Sequence, residues 1–243
     1  MTTRTDATPP FVVTHARIVG GFLLLLPIPF ALLGALSSSL IVPGDAAATA
    51  NHILASESLF RLGIVRTLLL MLFDACLLVL VFYQLLKPVN KTLAVLMVIL
   101  NLPGVVITLS NELNNFAILL LLHGADASRA FTPDQMHAAV SLLLQVHDTG
   151  GLIAGLFWGL WLVPYAVLVF RSGFLPKFIG VVLIIECFGF LIQSFGGFFV
   201  PTLGATLALL PTITSLAELF LPLWLLIRGV NVEQWAKQAR ASA

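Results

Sequence analysis

Six long apolar runs, separated by short polar segments, govern what this chain can fold into. They fall at about 18–37, 58–86, 92–122, 134–170, 175–199 and 205–228. A helix needs about 20 mostly apolar residues to cross the hydrocarbon of a bilayer, and each run meets that length. In hydrocarbon, every backbone amide and carbonyl must find its partner within the protein, which leaves helices and closed barrels. The runs are continuous rather than alternating, so helices are expected. Composition agrees: 9% of the residues are charged and 59% hydrophobic, against about 25% and roughly 45–50% in soluble domains. Twelve basic and 11 acidic residues are too few to cover a water-soluble globule of 243 residues. A soluble enzyme, a nucleic-acid binder and a disordered chain are excluded, and a net charge of +1 offers nothing to a polyanion. The expectation is an all-α, polytopic membrane helix bundle of six transmembrane helices, with the lipid bilayer as its first partner.

Lys and Arg set the direction of insertion. Arg4, Arg17, Lys87, Lys91, Arg171, Lys177, Arg228, Lys237 and Arg240 lie on one side, and Arg61, Arg66 and Arg129 on the other. The richer side is cytoplasmic by that rule, so both termini are expected inside, in keeping with an even number of spans. The organisation expected is a cytoplasmic tail over 1–15, a six-helix domain over 16–229 and a second cytoplasmic tail over 230–243. The first run has about 19 apolar residues against the usual 7–15 of a signal peptide, and reads as a retained span. Pro43-Gly44-Asp45 opens an Ala-rich stretch expected to form a short helix at the outer surface. Thr132-Pro133-Asp134-Gln135 has the cap, first-position Pro and third-position Gln of a helix start. Cys76 and Cys187 fall inside apolar runs and read as small apolar residues.

Ionisable groups inside spans are costly and mark function by default. Counting at 1.5 Å per residue from the inner basic anchors places Glu186, Glu218 and Asn101 roughly 14–15 Å deep, near the midplane. Asp74 falls slightly into the outer half. Arg66, Glu112, His147 and Asp148 fall about 30–36 Å from the inner anchors, near the outer interface. Asp74, Glu186 and Glu218 have no basic residue at their depth, which makes them candidates for holding a proton or a cation. Asn101, Thr108, Glu112 and Asn115 share one helical stripe, and His137, Ser141, Gln145 and Asp148 share another. Such stripes are expected to face inward, giving a polar interior open to the outer side. The plainer reading is that they are glue, with Arg66 paired to Glu112 or Asp148. Pro103-Gly104, just after Asn101, marks a point where the third helix can break. Gly151, Gly155 and Gly159 form a small-residue ridge suited to close packing within the bundle.

Several chemistries lack their residues. There is no HExxH or paired CxxC spacing for zinc, no GxSxG, no His in the last two runs, and no phosphate-cradling Gly-Lys loop. No cofactor is expected.

Six stretches carry a family resemblance. They are Pro43-Gly44-Asp45, NHILASESLFRLGIV at 51–65, LLKPVNKTLAVLM at 85–97, FTPDQMHA at 131–138, the run from His147 to Ile184, and LIRGVNVEQW at 226–235. Together they resemble a family of bacterial membrane proteins, domain of unknown function 4386, from about Arg17 to Trp235. Arg61, Asp74, Asn111, His147, Gly173, Pro176 and Glu218 match characteristic positions of that family, whereas Glu186 and Gln193 depart from its pattern. The resemblance implies the architecture and a place in the bacterial cytoplasmic membrane. It implies no activity.

Three functional readings follow. The first is a non-enzymatic membrane protein with an outward-opening pocket lined by Arg61, Arg66, Asp74, Glu112, His147, Asp148 and Glu218. It would bind, or bind and move, a small polar ligand or ion, with Asp74 and Glu218 carrying a proton or cation and Arg66 and His147 sensing anions or pH. The second is an intramembrane enzyme acting on a lipid or isoprenoid head group at the outer interface, with His147 and Asp148 as acid and base. The third is a structural or regulatory subunit whose polar groups only pack.

Overall fold

The computed structural model describes residues 9–124, 130–207 and 209–241. Among the described residues the protein is helical throughout, with no strand. Five helices are long and apolar enough to cross a membrane: Ala16–Ser38, Glu57–Leu86, Lys91–His123, Pro133–Ser172 and Lys177–Phe199. They correspond to the first five apolar runs.

The sixth run is helical at its described residues from Gly204 to Arg228, as Gly204–Leu207, Leu209–Thr214 and Phe220–Arg228, and it tightens to a 3-10 segment at Ser215–Leu219. Proline explains the tightening. Pro222 has no N–H, so it cannot bond the carbonyl four residues earlier, and its ring crowds that carbonyl. Pro222 thereby withdraws the α-helical partner of the Glu218 carbonyl, and Glu218 sits in the tightened 3-10 stretch. Pro103 acts differently. The Lys91–His123 helix runs through it without a break, and Gly104 beside it packs on Trp158 and Phe157.

Local signals decide the helix ends. Asp45 Oδ1 accepts from the Ala48 amide at 2.8 Å and caps Ala46–Ala55. Thr132 and Gln135 cap each other reciprocally ahead of Pro133: the Thr132 amide donates to Gln135 Oε1 at 2.9 Å and the Gln135 amide to Thr132 Oγ1 at 3.3 Å. The helix ending at Ser172 stops because Gly173 takes φ of 70°, a left-handed turn that a side chain would strain.

The chain forms two compact units. The first is drawn from residues up to Leu26, from Asp74–Gly104 and from Gly155 onward. Its core includes Leu85, Leu86, Met97, Leu162, Leu168, Ile179, Leu183 and Leu225. At Gly20 two backbones meet: a Cβ there would lie 2.5 Å from the Leu226 amide nitrogen and 2.6 Å from the Pro222 carbonyl. Gly155 and Gly159 receive Ser194 and Leu191 of the Lys177–Phe199 helix, so two glycines of the ridge serve packing inside this unit. Cys76 and Cys187 are free thiols. The stretch over 232–241 is helical as Val232–Ala241, and it docks through Trp235, which is buried and donates from Nε1 to the Leu85 carbonyl at 3.0 Å.

The second unit comprises Pro27–Phe73 and Val105–Ala154. Leu40, Ile53, Phe60, Ile64, Ile118, Leu119 and Val140 form its core. Gly63 admits Ser37 at a distance that leaves no room for a Cβ.

Candidate functional site

The second unit holds a polar pocket of about 180 Å³. Arg66, Glu112, His147 and Asp148 line it together with Ser37, Ser38, Thr67 and Asn115. Four of the seven residues expected to share one pocket therefore do so.

Arg66 reaches the pocket by crossing to another helix. Its Nε donates to the Phe30 carbonyl at 2.8 Å, and its guanidinium rests against Gly34, where a Cβ would lie 2.8 Å from Cζ. Arg66 forms no ion pair with Glu112 or Asp148, so the glue expected there is absent among the described residues. The terminal nitrogens Nη1 and Nη2 make no hydrogen bond among those residues.

Glu112 is the buried anion of the site, 4% exposed. Asn115 Nδ2 donates to its Oε2 at 2.8 Å, and His147 Nε2 stands 3.7 Å from its Oε1. The other His147 ring nitrogen, Nδ1, is 4.0 Å from Asp148 Oδ1. The imidazole thus lies between two carboxylates, one buried and one with an 86% exposed side chain. Asn111 holds this arrangement in place. Its Nδ2 donates to the His147 backbone carbonyl at 2.7 Å, and its amide fills the space that a side chain at Gly150 would need. Sequence reasoning noted Asn111 only as a match to a family pattern. Its spacing gave no sign that it would bridge to the fourth apolar run. Gln145, expected to face inward, remains exposed, and its Nε2 donates to Ser141 Oγ on its own helix.

Arg61 is not among the lining residues. It pairs with Glu57 one turn earlier on the same exposed surface, and His123 Nε2 approaches the same carboxylate at 3.3 Å.

Asp74 and Glu218 belong to the first unit, in a second polar cluster. The Asp74 carboxyl faces the Asn101 amide. Glu218 interacts electrostatically with both Asp74 and Glu186. Asn101 and Glu186 are each 0% exposed, and among the described residues their side-chain polar atoms meet no partner at hydrogen-bonding geometry. Glu186 is a candidate by depth, although it departs from the family pattern. The structure brings it beside Glu218, which depth counting alone permitted and could not decide.

No group of three or more His, Cys, Asp or Glu side chains among the described residues is arranged to hold a metal ion. No curated protein and no solved structure matches the chain. Residues 19–229 match the family described as domain of unknown function (DUF4386), and since that span covers most of the sequence, the chain belongs to this family.

Proposed function

We propose that this protein is a six-span protein of the bacterial cytoplasmic membrane, with both termini inside. Its pocket takes a small polar solute from the outer side, and Asp74 and Glu218 exchange a proton or cation. The helical segments of the sixth run, with their 3-10 stretch at Ser215–Leu219, would form the sixth crossing. The basic residues at 87, 91, 171, 177 and 228 support the orientation.

The observation that carries the ligand reading is the pocket around Arg66. At about 30 Å³ per water it has room for roughly six waters, taking its volume as 180 Å³. Pockets for drug-sized ligands run to roughly 300–1,000 Å³, so this smaller pocket suits a small polar solute. The guanidinium offers two unused nitrogens to an anionic group, and the exposed Asp148 carboxylate can receive a cationic one. A small zwitterion, with carboxylate toward Arg66 and ammonium toward Asp148, matches both.

The enzymatic reading is weaker on the same geometry. Ser37 and Ser38 donate their hydroxyls to the Gly34 and Ala35 carbonyls of their own helix, each at 3.1 Å, rather than to His147. The pocket hydroxyls are therefore not set up as nucleophiles beside a base.

The test is binding by the purified full-length protein in nanodiscs. Small amino acids, inorganic anions and simple ammonium ions would be compared by thermal shift and calorimetry. Zwitterions should bind, and Arg66→Gln and Asp148→Asn should each weaken them. Binding that is unchanged in both variants contradicts the pocket.

A further inference from the structure

The imidazole of His147 has a carboxylate at each of its nitrogens. Nε2 stands 3.7 Å from Oε1 of Glu112, on the Lys91–His123 helix, and Nδ1 stands 4.0 Å from Oδ1 of Asp148, on its own helix. The backbone beneath the ring is fixed, since Asn111 Nδ2 donates to the His147 carbonyl at 2.7 Å. The other charged residue lining the pocket is Arg66, from Glu57–Leu77. Ser37 and Ser38, which line it from Pro27–Ser38, carry no charge.

An ionised carboxylate only accepts hydrogen bonds, and a neutral imidazole has one N–H and one lone pair. A neutral ring in this place would turn its lone pair toward one of the two carboxylates. The doubly protonated ring presents an N–H to each. Glu112 requires the same charge. It is 4% exposed, and a buried carboxylate needs a compensating partner. Asn115, which donates to its Oε2 at 2.8 Å, is neutral. Arg66 turns its Nε to the Phe30 carbonyl and forms no ion pair among the described residues. Among those residues, His147 alone lies within ion-pair distance of Glu112.

We propose that a small zwitterion entering this pocket displaces a proton from His147, so that binding is an exchange of ligand for proton. The inference rests on the zwitterion reading above and adds the group that responds to the ligand. Asp148 is common to both events. Its side chain is 86% exposed, so it is free to turn from the ring to the ligand's ammonium. Nδ1–H then loses its acceptor and faces a second positive charge nearby. The Nδ1–H bond breaks, its electron pair stays on the nitrogen, and the proton passes to water. Nε2–H stays with Glu112. Before the exchange, Arg66 and protonated His147 balance Glu112 and Asp148. Afterwards His147 is neutral, the zwitterion adds no net charge, and the released proton accounts for the difference. Ligand and proton therefore compete, and affinity rises with pH across the range in which the proton is exchanged.

The experiment uses the full-length protein in nanodiscs, with glycine and alanine as probes. Binding enthalpy is measured in buffers of different ionisation enthalpy at the same pH, which counts the protons released per ligand bound. Kd is followed across a pH series. The wild type should release a proton on binding, and its Kd should fall as pH rises, by up to about tenfold per pH unit. His147→Gln should release none and flatten the profile. Glu112→Gln leaves the ring a single carboxylate and should release less than the wild type; it decides the matter if His147→Gln does not fold. Binding without proton release at any pH in the wild type overturns this inference and leaves the zwitterion reading standing. Proton release undiminished in a folded His147→Gln or Glu112→Gln variant overturns it as well. If neither probe binds, both readings fall.

Discussion

Arg66 and Gly34 are in direct contact, and the absence of a side chain at Gly34 is what lets the guanidinium lie there. Gly34→Ala places a methyl group 2.8 Å from Cζ. The group it meets is the end of a long flexible side chain, which can move aside. Stability should therefore fall by less than about 1 kcal/mol, while ligand binding should fall much more, because the pocket loses its cation. Thermal unfolding and calorimetric binding on one preparation separate the two effects.

Gly20 presents the opposite case. Its neighbours are the Leu226 amide and the Pro222 carbonyl, both backbone atoms that cannot rotate away. Gly20→Ala should force the Ala16–Leu25 and Phe220–Arg228 helices apart at a cost of about 1–3 kcal/mol. The expected observation is a lower unfolding temperature in detergent with zwitterion affinity unchanged in the fraction that remains folded.

Asn111 and Gly150 should behave as a coupled pair. Asn111→Ala removes the hydrogen bond to the His147 carbonyl, worth about 0.6 kcal/mol on average between membrane helices and at most about 1.7. Gly150→Ala collides with the Asn111 amide and should cost more. In the double variant the collision is gone, so its loss should be smaller than the sum of the two single losses. A strictly additive double variant would show that the two residues do not share this space.

Trp235 ties Val232–Ala241 to the first unit by one hydrogen bond and a buried ring. Trp235→Phe keeps most of the ring and loses the donor to Leu85, at about 1 kcal/mol. Trp235→Ala should cost about 3–5 kcal/mol. Limited proteolysis should then cut within 232–241 in the alanine variant and spare the wild type.

Hydropathy alone located the long helices, because continuous apolar length is a one-dimensional property. Five runs became long helices. The sixth is helical at its described residues but carries a 3-10 stretch at Ser215–Leu219; its prolines were visible, but whether a proline kinks, tightens or passes depends on its surroundings. Pro103 passes and Pro222 does not. Counting residues from the basic anchors set Arg66, Glu112, His147 and Asp148 in one layer, and these four line one pocket. Rotation about the helix axis was less so. Arg61, one turn and a fraction before Arg66, turns to Glu57 instead of the pocket. Which helices become neighbours is set by packing at positions such as Gly34 and Gly150. No periodicity announces that packing, so Asn111 was seen as a residue and missed as a participant.

The proposed function requires the pocket of Arg66, Glu112, His147 and Asp148 to be wet and open to the outer face. In a background with Cys76→Ala and Cys187→Ala, single cysteines at Ser37, Thr67 and Asp148 would be challenged with a membrane-impermeant thiol reagent. Right-side-out and inverted vesicles would be labelled in parallel. All three positions should label in right-side-out vesicles, and a bound zwitterion should slow labelling at Ser37 and Thr67. Labelling confined to inverted vesicles, or no labelling of Ser37 and Thr67 from either side, would contradict the claim.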